Sequence, residues 1–152
     1  MLPPARNVPF GIPTVWEVDV EEATVRAFVL PERRQRWVTL LASPAGRRKV
    51  TERLAHSPDH DLRYAAQLTA EEQKARSILA TLRERGAPAV CHVISEGDLD
   101  GQDLALSDAL DRVVGAGTGT LLICVPGELA YYEGEEQGDR YILHRHPVAR
   151  VR

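Results

Sequence analysis

The sequence predicts a single α+β domain: a mixed β-sheet with a C-terminal βαβ unit and an antiparallel meander, its helices packed mainly on one face. Two observations carry that class. The runs Ala89 to Ile94 and Leu121 to Val125 are apolar on both alternating faces apart from His92, as interior strands are. Between them, Leu106, Leu110, Val113 and Val114 share a helical face over roughly Ser107 to Val114, so strand, helix and strand follow one another as in a right-handed crossover with parallel strands. At 152 residues the chain can bury roughly two-thirds of its unfolded surface, enough for one core.

Prolines at 3, 4, 9 and 13 fix φ and remove backbone donors, which makes residues 1–13 a proline-rich extended arm. The domain proper spans 14–146, and 147–152 form a short basic tail. Thr14 to Val18 and Thr24 to Val29 are rich in β-branched and aromatic residues and read as a hairpin that Pro31 ends. Glu32 to Ala42 places Trp37, Leu40 and Leu41 on one helical face. Ser43 then Pro44 has the order of an N-cap and first helical residue, opening a helix that runs to about Leu54. Thr69 and Glu72 have capping-box spacing ahead of Ala75, Ile78, Leu79 and Leu82, and Gly86 supplies the stop. Pro126-Gly127 is the order of a type II turn, after which Leu129 to Glu133 and Tyr141 to His146 complete the meander.

The net charge of −3 conceals a bipolar chain. From Arg26 to Arg63 nine bases face four acids, and from Ile94 to Asp139 eleven acids face one base, Arg112. Such a split can steer charged ligands or orient two copies head to tail. The start lacks the apolar core of a signal peptide and no run approaches a membrane span, so a cytoplasmic protein without membrane partners is expected. Cys91 and Cys124, each inside an apolar run, read as small buried hydrophobes.

The candidate site is the acidic loop Ser95-Glu96-Gly97-Asp98-Leu99-Asp100-Gly101-Gln102-Asp103. If the two interior strands are parallel, this loop and Glu128 both lie at the carboxyl edge of the sheet, where open α/β sheets bind ligands. Glu96, Asp98 and Asp100 are then candidate ligands for Mg²⁺ or Ca²⁺, and His92 a candidate general base. The acids imitate the first half of an EF-hand loop, but Ser107 stands where a bidentate glutamate is required. The plainer reading is a solvated loop whose acids favour the following helix. Gly115-Ala116-Gly117-Thr118-Gly119 follows a helix and precedes a strand, the reverse of the phosphate-binding order, and reads as a tight connection. His56, His60, His144 and His146 supply no helix-borne zinc pair, because Pro58 interrupts the first two.

Arg47, Arg48 and Lys49, with Arg33, Arg34, Arg36 and Arg53, form the one concentrated basic patch. Acidic overall charge counts against nucleic acid as the partner. No nucleophile elbow is present. The expected function is a non-catalytic binding or regulatory domain engaging a protein partner or a second copy of itself, with no certain cofactor and Mg²⁺ or Ca²⁺ as the candidates. The alternative is a divalent-metal-dependent hydrolase of phosphate esters using Glu96, Asp98, Asp100 and His92, and a weaker one is nucleic-acid binding through residues 32–54.

Overall fold

The computed structural model describes residue 16, residues 18–56 and residues 59–145. The predicted arm, tail and most of the first predicted strand lie outside them. The α+β class holds: five α-helices accompany a six-stranded sheet. The helices are α1 (Val20–Phe28), α2 (Arg34–Leu41), α3 (Pro44–Leu54), α4 (Ala75–Glu84) and α5 (Leu106–Val113). The strands are β1 (Ala65–Gln67), β2 (Val90–Ser95), β3 (Asp103–Ala105), β4 (Thr120–Val125), β5 (Leu129–Glu133) and β6 (Arg140–His144).

The segment read as the second strand of a hairpin is helix α1. Its β-branched composition misleads, because Val20, Thr24, Val25 and Phe28 are buried at helical spacing. Asp19 caps it, accepting from the N–H groups of Glu21 and Glu22 at 3.1 and 3.0 Å, a contribution of about 1 kcal/mol. Helices α2 and α3 match their predicted spans closely, with Ser43 accepting from the Gly46 N–H at 3.1 Å and Pro44 opening α3. The Thr69–Glu72 capping box is present, but it heads a 3₁₀ turn, Ala70–Glu72, and α4 starts at Ala75.

Sheet order is β1-β6-β5-β4-β2-β3, and every neighbouring pair is antiparallel. The predicted parallel pairing of the two interior strands is therefore corrected: His92 opposes Ile123 and Ser95 opposes Thr120 in an antiparallel ladder. A short strand, β3, lies hidden at the end of the acidic loop and turns the chain back along β2 before α5 begins. The crossover helix thus leaves from β3. Because β3 and β4 both run against β2, they are parallel to each other with β2 inserted between them, a split βαβ unit. Pro126-Gly127 makes its turn, with Gly127 at φ 76° and the Glu128 N–H donating to the Val125 carbonyl at 2.9 Å.

The helices cover both faces of the sheet, not mainly one. Cys91, Val93, Leu122, Tyr131 and Ile142 pack against α4 and α5 through Ile78, Leu82, Leu106 and Leu110. Ile94, Leu121, Ile123, Ala130, Tyr132 and Leu143 pack against α1, α2 and α3 through Val25, Phe28, Trp37, Val50 and Leu54. Strand alternation divides the two sets, so the interior strands look apolar throughout because both faces are dry. Cys91 and Cys124, on the neighbouring strands β2 and β4, are both free thiols buried on the α4–α5 side.

Helices α2 and α3 meet at Gly46, where a Cβ would run into the backbone of Leu40. Gly46→Ala, a change that stabilises an exposed helix interior, is expected here to lower stability by about 1–3 kcal/mol through forced separation of the two helices. Urea unfolding measures the sign.

Candidate functional site

Loss of the parallel pair moves the site. The turn bearing Glu128 lies at the opposite end of the sheet from the acidic loop, since Val125 and Ser95 are at opposite ends of the antiparallel β2–β4 ladder. Glu128 is exposed and remote from Glu96, Asp98 and Asp100. Those three do not converge either. Glu96 and Asp98 are exposed, while Asp100 turns inward, accepting from the Ser95 N–H at 2.9 Å and from Arg47 at 2.7 and 3.1 Å. The loop is a β2–β3 hairpin connection held by its own bonds: the Asp100 N–H donates to the Gly97 carbonyl, Gly97 donates to Ser95 Oγ, and Gln102 Nε2 donates to the Asp98 carbonyl. Among the described residues, no three His, Cys, Asp or Glu side chains are arranged to hold a metal ion.

What converges is a different set, built on His92 and Arg47. His92, on the α1–α3 face of β2, is 4% exposed. Its Nδ1 lies 2.7 Å from Asp103 Oδ1, and its Nε2 lies 2.7 Å from Glu21 Oε2. Asp103 is the residue directly across the ladder, so strand register alone delivers it. Glu21 arrives from the first turn of α1. Arg47, on α3, grips both Glu21 oxygens at 2.7 and 2.6 Å and reaches Asp100 with its other edge. Trp16 Nε1 donates to Asp103 Oδ1 at 3.1 Å. Two helices, two strands and the hairpin loop are joined by one continuous chain of charge-assisted bonds.

The electrostatics follow from that closure. Burial works to raise the Glu21 carboxyl, but hydrogen bonds and charge from Arg47 and His92 outweigh it and hold the pKa down at about 2. Burial likewise opposes the His92 cation, and the Glu21 and Asp103 carboxylates overcome it, so its pKa lies above the ordinary 6.5. Hydrogen bonding to Glu21 raises the Arg47 pKa further still. Each His92 nitrogen lies against a carboxylate oxygen, an arrangement that favours the imidazolium, which can donate an N–H to both. A general base needs an unprotonated nitrogen within reach of its substrate, and neither nitrogen is open here.

Above this floor opens a cleft of about 680 Å³, lined by Trp16, Val18, Val20, Glu21, Arg47, His92 and residues 101–103 among others. Its size is that of a ligand pocket. Val18 on its wall is 55% exposed.

The remaining sequence candidates have structural occupations. The glycine loop does cradle an anion, but it is the chain's own: the N–H groups of Gly115 and Gly117 donate to Glu133 Oε2 at 3.0 and 3.4 Å, and the Tyr131 hydroxyl donates to Oε1 at 2.7 Å. His60 packs against the rings of Tyr132 and Tyr141, and His56 contacts Glu135 at 2.7 Å. His146 lies outside the described residues. Arg48 and Lys49 are exposed on α3. Sequence reasoning missed Glu21, because its helix was read as a hairpin, and Trp16. Asp103 was quoted only as the end of the loop; recognising β3 would have paired it with His92.

Compared with known proteins, the chain matches no family model, no curated protein and no solved structure. Among the described residues no helix is long and apolar enough to cross a membrane.

Two outcomes are expected from the network. Glu21→Gln lowers stability by about 1–3 kcal/mol, since it strips charge from Arg47 and His92 in a half-shielded setting, and urea unfolding measures the loss. The Glu21 contribution is complete above its ordinary 4.5 and disappears as pH falls toward about 2. The His92 contribution is complete below 6.5 and disappears as pH rises through its raised value. Thermal stability is therefore expected to be highest between those limits, and in His92→Gln the alkaline decline attributable to this residue vanishes.

Proposed function

We propose that this chain is a non-catalytic binding domain whose recognition surface is the cleft above the Glu21–Arg47–His92–Asp103 network, and that its partner is another protein or a second copy of itself. The observation carrying this reading is that both His92 nitrogens are engaged by carboxylates beneath an open cleft of ligand size. A floor whose charges are fixed by one another is rigid before binding, which reduces the entropy lost on association. Trp16, Val18 and Val20 supply apolar wall, the composition from which interaction pockets are built. A metal-dependent phosphoesterase has less support, because the loop carboxylates that would hold the ion point apart and the proposed base is capped at both nitrogens.

Cross-linking mass spectrometry on the full chain, run alone and in a lysate, tests the reading. Cross-links or oxidative-footprint protection at Val18 to Glu21 and Gln102, abolished by Val18→Asp, are expected. Light scattering on the same preparations assigns the occupant: a dimer lost in Val18→Asp identifies a second copy, and a monomer identifies a different protein. Divalent-ion-dependent hydrolysis of p-nitrophenyl phosphate that His92→Gln abolishes in a folded variant would overturn the proposal.

A further inference from the structure

We propose that the groove between α2 and α3 binds the phosphoryl groups of a small diphosphate-bearing molecule. The groove holds about 220 Å³ and is lined by Arg33, Arg36, Lys49 and Arg53 around Trp37, Leu40 and Val50, with Glu52 and Asp59 also at its wall. Helical spacing creates it. Positions 33, 36, 37 and 40 fall on one face around α2, positions 49, 50 and 53 on one face of α3, and the close approach at Gly46 turns those faces together.

The charges of this groove are treated quite differently from those of the cleft. Asp59 is already taken, accepting from Trp37 Nε1 at 2.9 Å and lying 3.6 Å from Arg33. Arg36, Lys49 and Arg53 have no ion-pair partner within reach among the described residues, and Glu52 is the one remaining acid on the wall. Three cations are therefore held around an apolar floor with a single carboxylate to offset them. Guanidinium forks match phosphate oxygens in pairs, and Trp37, Leu40 and Val50 form the apolar floor between them. The volume equals about seven waters, room for a diphosphate but not for an entire nucleotide, whose remaining portion would project from the groove. An extended nucleic-acid backbone calls for a longer track of cations than these two short helix faces provide. Arg47 lies well round α3 from Lys49 and Arg53, so this site and the cleft can be tested separately.

The test is isothermal titration of the full chain at low ionic strength with inorganic pyrophosphate, with sulfate as control. Saturable binding of pyrophosphate is expected, weakened at least tenfold in the exposed double variant Arg36→Gln, Arg53→Gln and unchanged in Arg48→Gln, which removes an α3 cation outside the groove lining. Circular dichroism confirms that the variants fold. Adenosine diphosphate binding more tightly than pyrophosphate assigns a nucleotide as the source, whereas equal affinity assigns the diphosphate alone. Absence of saturable binding at millimolar pyrophosphate, or equal weakening by Arg48→Gln, overturns the proposal. So does tighter binding of duplex DNA with a salt dependence that counts more cations than the groove contains, which would assign the patch to nucleic acid.

Discussion

The contact between Glu21 and His92 is the constraint on which the arrangement of this protein depends. A carboxylate in the first turn of the first helix meets a histidine on an inner strand of the sheet, far along the chain, and the same carboxylate carries Arg47 of α3. Through Asp103 and Asp100 the chain of bonds continues into β3 and the hairpin loop. Such pairs, shielded from water, contribute modestly to net stability because desolvation consumes most of the attraction. Their effect is selective: any packing that shifts α1 or α3 against β2 leaves a half-shielded charge unpaired, at a cost of about 1–3 kcal/mol. The α1–α3 layer is located by that penalty as much as by Phe28, Trp37 and Leu54 on its apolar side.

The sheet makes this possible by being dry on both faces. Along β2, Cys91 and Val93 belong to one core and His92 and Ile94 to the other, and along β5 Tyr131 and Tyr132 divide in the same way. Each tyrosine finds a different acceptor, Glu133 for Tyr131 and the Leu54 carbonyl for Tyr132, as buried hydroxyls must. The charged groups enclosed here are thereby matched: Glu133 by the glycine-loop amides and His92 by two carboxylates. Helix α3 shows the same logic at its two sides. Arg47 is absorbed into the network, while Lys49 and Arg53 line the groove beside Glu52 without an ion pair among the described residues.

Much of the fold is legible in the residues. Ser43-Pro44 opens α3, Pro126-Gly127 turns β4 into β5, and the spacing of Ile78 and Leu82 defines α4, because caps, turns and helical stripes are set by neighbours within a few positions. The failures share a cause. Val20 to Phe28 has strand-like composition, and only the buried set Val20, Thr24, Val25 and Phe28 against Ile94 and Leu121 makes it a helix. Three-residue strands such as β3 carry too little periodicity to be seen, yet β3 reverses the chain and so changes which loop lies beside which turn.

Local sequence thus determined the element types in the second half of the chain apart from β3, the α+β class, the caps and turns, and the presence of His92 and Arg47 as residues of interest, since propensity and hydrogen bonding within a few positions decide all of these. Tertiary structure alone decided strand direction and the partners of those two residues. Asp103 reaches His92 through ladder register and Glu21 reaches it through the packing of α1, and both depend on contacts between segments far apart in the chain. The acidic loop that stands out in the sequence became a hairpin connection, because β3 pairs back along β2 and Asp100 turns inward to Arg47.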